Sequence, residues 1–478
     1  MNYFPLPFLL LISLINITGC TTKRLPDKAA IIAQLLRSNE IQRRAHLEND
    51  ANLLASQIAD SMMSVSRGEI SFSANSAIQQ RFEGYFQQVR YSSWDDTRKP
   101  IIEIAQDGQT ASIYVQKFLD LQFKKQETEW GEHQYALFAW QAQYALVNGG
   151  WKITANTSSD KSLSKQEALD VPIHLSELYA EIKESDLIPE GIAHDNKTGI
   201  TYVSSTYKQK ILAVNPNGSY TDWKTEGEDG LWSTVGMEVD EETRILWVIS
   251  FHGHEVLPMK RPQVEHEWTS RLYAFHLPDG ALIDSYEPDV EEKVAFNDLC
   301  VAKDGNVYVT ESLNNRIFYL NPDNGSFQQL DIQDSLFVFP NGITISDDQS
   351  FLYIAVQSGI IQYSLRDKTF GMLQLPSGIL ANRIDGLAYY KGSLIANQSY
   401  RKRILQLSLN EESRSVRHQR ILEANHPAFD QPATGEIAGD AFIYLANAQM
   451  QSAFDNGVLK PEEERESVKL LKVDLPQE

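Results

Sequence analysis

FPNGITISDD, from Phe339 to Asp348, decides the fold, because its opening returns on both sides at matching places in longer blocks. PEGIAHD (Pro189 to Asp195) and FNDLCVAKDG (Phe296 to Gly305) stand upstream, and IDGLAYYKG (Ile384 to Gly392) stands downstream. Each leads into an alternating apolar run such as NVYVTES or FLYIAVQ, the pattern of a strand. The leading residues are Glu190, Asn297, Asn341 and Asp385, and two weaker copies, TVGMEVDEETRILWVIS and TGEIAGDAFIYLANAQ, place Val235 and Thr434 in the same slot. In order, these six positions lie 45, 62, 44, 44 and 49 residues apart. A β-patterned period of about forty to fifty residues is that of propeller blades. Blades are related by rotation about one axis, so residues in one slot share a ring at a mouth of the central channel.

At 478 residues the chain exceeds one ordinary core, and a multidomain protein is expected. Its 43 basic and 64 acidic residues leave a net charge of −21, which disfavours phosphate backbones and excludes nucleic acid as the expected partner. With only Cys20 and Cys300, neither a disulfide framework nor a cysteine-based zinc site is expected. Residues Phe8 to Ile17 are nearly all apolar and are followed by Thr18, Gly19 and Cys20, which reads as an export signal over residues 1–19. Residues 20–27 form a short polar tether.

Residues 28–157 read as helices followed by strands. Leu47, Ala51, Leu54, Ile58 and Met62 recur at steps of four and three, predicting one helical stripe, and Ile78, Phe82 and Phe86 predict a second. IIEIAQDGQTASIYVQKF and QYALFAWQAQYALVNGGWKITA then read as hairpins around DG and NGG turns. His46 and Asp50, four apart, would share a helix face; a hydrogen-bonded structural pair is the expected reading, and this unit is assigned no catalysis. Serine-rich SSDKSLSK suits a flexible connection, giving a linker at 158–170 and a propeller over 171–478. QEALDVPIHLSELYAEIKES, after it, is a candidate closing strand for the last blade.

The slot itself would bring two carboxylates and two amides, Glu190, Asp385, Asn297 and Asn341, to a confined centre. Oxygen-only ligands suit a hard divalent cation, with calcium first and another divalent ion as the alternative. Taken singly, NG, DG and EG pairs are equally good turn formers. Four oxygen-bearing side chains in one repeat slot favour the metal reading.

Two parts of the chain resemble known families. ITGC is similar to the lipobox of bacterial lipoproteins, which implies lipidation at Cys20 and a place in the cell envelope, on the periplasmic or surface side of a bacterial membrane. HLENDANLLASQIADSMMSVSRGEI and WDDTRKPIIEIAQDGQTASIYV resemble the α+β cone-shaped fold of nuclear transport factor two, ketosteroid isomerase and the polyketide-cyclase-like proteins, which leaves room for a dimer through this domain. From Leu187 to Leu475 the EG, ND, NG and DG motifs resemble the senescence marker protein, regucalcin and gluconolactonase group of six-bladed propellers, with paraoxonase-like proteins more distant.

That resemblance implies that Glu190, Asn341 and Asp385 bind the ion, while Asn297 sits beside it and contacts substrate or water. Val235 stands where a paraoxonase-like dyad would have its first histidine, and His252 in SFHGHE matches the second, as a residue lining the pocket. For His252 and His254 a solvated loop is the plainer expectation. The long charged loop from Gly253 to Ser270 is a candidate rim or lid. The implied chemistry is opening of a lactone or related small ester, with Asp385 as metal ligand and base and Glu190 as the alternative base. No GxSxG elbow is present, which disfavours a serine hydrolase. The competing expectation is a propeller that binds a ligand or partner around a structural calcium ion without turnover.

Overall fold

A computed structural model describes residues 27–476, apart from 67, 254–256, 261–267, 333 and 411. The lipobox cysteine, Cys20, and His254 lie outside the described residues, as does most of the candidate rim loop.

Among the described residues six antiparallel sheets, each with four main strands, follow one another, at 192–224, 233–286, 296–329, 343–372 and 387–424, with the sixth built from both ends of the region. In this last blade Gly435–Ala438, Ala441–Leu445 and Val468–Asp474 are joined at the outer edge by Glu177–Ile182. The closing strand expected before the first blade is therefore present, and it satisfies an edge that would otherwise be open. Just ahead of it, Ile173–His174 adds a short fifth strand to the fifth blade. Each innermost strand touches the next, and that of the sixth blade touches that of the first, so the ring is closed.

Close approach at the centre dictates the glycine that follows most slot residues. A Cβ on Gly191 would lie 1.9 Å from the carbonyl oxygen of Val235, one on Gly236 2.6 Å from that of Asn297, and one on Gly342 2.6 Å from that of Asp385. On Gly386 it would lie 2.8 Å from the Cα of Thr434. None of these glycines has a positive φ. EG, NG and DG are thus not turn formers here; they are places where neighbouring backbones meet.

Ahead of the propeller, helices Lys28–Leu47, Ala51–Ala55 and Asn75–Phe86 accompany a sheet ordered 69–74, 58–66, 150–163, 134–147, 110–126, 89–96. Both predicted hairpins form, with Gly108, Asn148 and Gly149 in the left-handed region their turns require. The predicted stripe from Leu47 to Met62 does not form one helix. Asn49 at φ 56° ends the first helix, a second covers only Ala51–Ala55, and Ile58–Ser66 is a strand. A step of four is an even number, so Ile58 and Met62 share a buried face of a strand as readily as of a helix.

The serine-rich stretch is not a flexible connection. Ser158 to Leu163 continue the strand Gly150–Leu163, paired with Trp140 to Tyr135, and their polarity reflects a largely solvent-facing end of that strand. Ser164 and Glu167 then form a capping box that starts the helix Lys165–Leu169. The two halves meet across a buried ion pair. Arg43 Nε donates to Asp95 Oδ1 at 3.0 Å, Asp95 Oδ2 accepts from the Ile421 amide at 3.1 Å, and Arg43 Nη2 donates to the Gln419 carbonyl at 2.7 Å.

Gly191→Ala is expected to destabilise the chain by about 3 kcal/mol or more, since backbone must move to relieve the overlap. Gly371→Ala, where a Cβ meets nothing within 4 Å, serves as control and should change stability by less than about 1 kcal/mol. Urea midpoints of the two variants check this.

Candidate functional site

The slot residues enter the innermost strands, and hydrogen bonding assigns four of the six positions. The residue after the slot accepts the amide of the second strand: Gly191 from Ser204, Gly342 from Ala355, Gly386 from Asn397. In the sixth blade that acceptor is Thr434, bonded by the Leu445 amide. The slot there is consequently held by Ala433, and the expected Thr434 is one residue late. Thr434 occupies the position glycine takes elsewhere, and its Oγ1 donates to the Glu190 carbonyl at 2.6 Å, tying the last blade to the first. Asp298 takes the same position in the third blade, its Oδ2 accepting from the Ile343 amide of the fourth at 3.1 Å. The ring thus reads Glu190, Val235, Asn297, Asn341, Asp385, Ala433. In the second and third blades the slot lies in a bulge, where the register shifts between Thr234 and Met237 and between Phe296 and Leu299. Bulges re-aim side chains.

At this ring Asn341 Nδ2 donates to Asp385 Oδ1 at 3.0 Å, and Ser399 Oγ donates to Asp385 Oδ2 at 2.7 Å. Glu190 Oε2, Asn297 Oδ1 and Asn341 Oδ1 are buried with no hydrogen-bond partner. Three unpartnered oxygens from one ring are unusual, since buried polar atoms are nearly always paired. Burial, then the Asp385 and Asp298 carboxylates, push the Glu190 carboxyl well above the usual range. Burial also raises Asp385, against the opposing bonds from Ser399 and Asn341. This concentration of negative charge and bare oxygen fits a hard cation bound through oxygen. Among the described residues no group of three or more His, Cys, Asp or Glu side chains is placed to hold a metal, so an ion here depends on the amide oxygens as well as the two carboxylates.

Beyond the slot lies a cavity of about 210 Å³ whose wall includes Glu238, Cys300 and Glu436. These lie three residues after Val235, Asn297 and Ala433, forming a second ring. Sequence reasoning missed it, although the same repeat arithmetic reaches Glu238; the slip at Thr434 hides Glu436. Burial, followed by the Glu436 carboxylate, pushes Glu238 well above its usual range, and burial raises Glu436 to about 7. Asp298 is likewise raised to about 7, chiefly by burial. Burial also raises the Cys300 thiol far from the thiolate, which makes it an inert wall residue.

His252 ends the strand Ile245–His252, fully buried, with its ring edge-on to Trp232 at 5.5 Å. It is not part of a solvated loop. His46 and Asp50 do not act together. His46 stacks on Trp94 at 3.6 Å between centroids and its Nδ1 meets the Gln42 carbonyl at 2.7 Å, while Asp50 caps the helix Ala51–Ala55 by accepting from the Leu53 amide. Burial lowers the His46 pKa from 6.5 to about 4.

Residues 188–374 match the family model for the SMP-30/Gluconolactonase/LRE-like region. That match contains Glu190, Asn297 and Asn341 and ends before Asp385, whose membership of the ring comes from blade geometry. No curated protein matches the chain. Similar solved structures include a gluconolactonase from Xanthomonas campestris, 15% identical, covering 66% of this chain and 94% of that one at a TM-score of 0.42. Virginiamycin B lyase from Staphylococcus aureus is 13% identical over 62% of this chain and 98% of its own, also at 0.42.

Two outcomes follow from this geometry. Thr434→Val should cost about 1–2 kcal/mol in urea unfolding, because the Glu190 carbonyl loses its donor. The folded-state pKa of His46 lies below the unfolded 6.5, so its contribution, roughly 3 kcal/mol, is complete above pH 6.5 and is lost as pH falls towards 4. His46→Phe should flatten the difference in stability between pH 7 and pH 4 by that amount.

Proposed function

We propose that this chain is a metal-dependent hydrolase that opens a lactone or related small ester. The observation that carries this reading is the set of buried, unpartnered oxygens of Glu190, Asn297 and Asn341 beside the doubly held Asp385 carboxylate. The match of residues 188–374 to the gluconolactonase-like family model supports the reaction class.

Glu190, Asn297, Asn341 and Asp385 are the residues that would hold the cation. When bound, a divalent ion, with calcium the first choice for an all-oxygen set, supplies Lewis acidity at the ester carbonyl. Asp385 is the proposed base for the attacking water. Asn341 and Ser399 orient its two oxygens, and burial raises its pKa towards the range where a carboxylate takes a proton effectively. Glu190, raised further, is the alternative base. Asn297, with its free oxygen, orients substrate or water. Export with lipid anchorage through Cys20 belongs to the same proposal and places the activity in the cell envelope.

Hydrolysis of a lactone panel tests the assignment. Chelation should abolish turnover and added calcium restore it, and Asp385→Asn should lower kcat by about 10²-fold or more while the variant stays folded in calcium. If chelation only lowers the melting temperature and no lactone is opened, the propeller binds its ligand without turnover.

A further inference from the structure

The junction between the α+β unit and the fifth blade encloses a cavity of about 100 Å³. Two guanidinium groups, Arg401 and Arg403, line it together. The Nε of each is buried with no hydrogen-bond partner. Arg401 makes one long bond, from Nη2 to Asn382 Oδ1 at 3.4 Å, and neither arginine forms an ion pair among the described residues.

The more deeply buried arginines Arg43 and Arg420 are treated differently: Arg43 meets Asp95 and Arg420 meets Glu40. Among the described residues the one acid on the cavity wall, Asp120, is already engaged by His133 Nδ1 at 2.5 Å. Burial, then repulsion from Arg401, lowers the Arg403 pKa to about 10. Two adjacent, partly buried cations without a counter-charge are costly, and the missing partner is negative.

The remaining wall narrows the choice. Phe118, Val171, Ile173 and Ile421 are apolar. The volume is well below the roughly 300–1,000 Å³ of sites for drug-sized ligands. A guanidinium presents a planar fork that matches a carboxylate with two parallel hydrogen bonds. We propose that this cavity is a binding site for a small monocarboxylate, held by Arg401 and Arg403 with its short apolar end against Phe118, Val171 and Ile173. The ligand would bridge the two halves of the chain, since its wall comes from both. The site is separate from the slot ring, and its occupancy does not depend on hydrolysis.

Calorimetric titration of the full chain with butyrate, at fixed chloride, tests this. Butyrate should bind at millimolar concentrations or below, the neutral isostere butyramide should not, and Arg403→Gln should weaken butyrate roughly tenfold or more, the scale of one charge-assisted bond. Without ligand, Arg403→Gln should melt at or above the temperature of the parent chain, because it removes an unpaired, partly buried charge. Equal binding of butyramide, unchanged binding in Arg403→Gln, tighter binding of inorganic phosphate than of butyrate, or no butyrate binding would each overturn the proposal. A fall in the ligand-free melting temperature of Arg403→Gln would also overturn it, by showing that the chain itself satisfies this guanidinium.

Discussion

Contact of backbone with backbone around the central axis is the constraint on which the rest of the propeller depends. Six innermost strands converge so closely that in four blades the position after the slot residue leaves no room for a side chain pointing at the next blade. Glycine meets this demand in four blades. In the other two, Asp298 and Thr434 turn the crowding to use, each spending its polar group on the backbone of the following blade. The ring is therefore held by hydrogen bonds where it is not held by contact.

The same convergence creates the electrostatics. Rotation brings Glu190 and Asp385 to one mouth and Glu238 and Glu436 to a second ring deeper in the channel, each among buried surroundings. Burial raises every one of these carboxyls, because a low-dielectric channel disfavours the charged form. The two rings differ in what surrounds the acids. At the mouth, the amide oxygens of Asn297 and Asn341 are buried without partners, whereas the deeper wall adds a thiol and apolar groups.

Attachment of the α+β unit rests on different physics. Arg43 and Asp95 are almost fully buried, and each also bonds to the outer strand of the fifth blade. Breaking one partner would strand the other in a dry interface, so the contact specifies one arrangement of the halves. The chain between them has no slack: strand, capped helix and two short blade strands follow in direct succession.

Much of this was legible in the sequence. Period and alternation gave away the blades, and Asn148-Gly149 and Asp107-Gly108 announced their hairpins, because turn chemistry is local. Four polar slot residues were readable from the repeat spacing. What the sequence left undetermined was decided by partners distant along the chain. A step of four fits both helix and strand, so only packing made Ile58–Ser66 a strand. Polar Ser158 to Leu163 became ordered by pairing with a neighbour. The slot of the sixth blade is Ala433 because Leu445 bonds to Thr434, and that one-residue register exposes the second ring of glutamates. Local pattern determines which elements form; the hydrogen-bond register between strands decides which side chains meet.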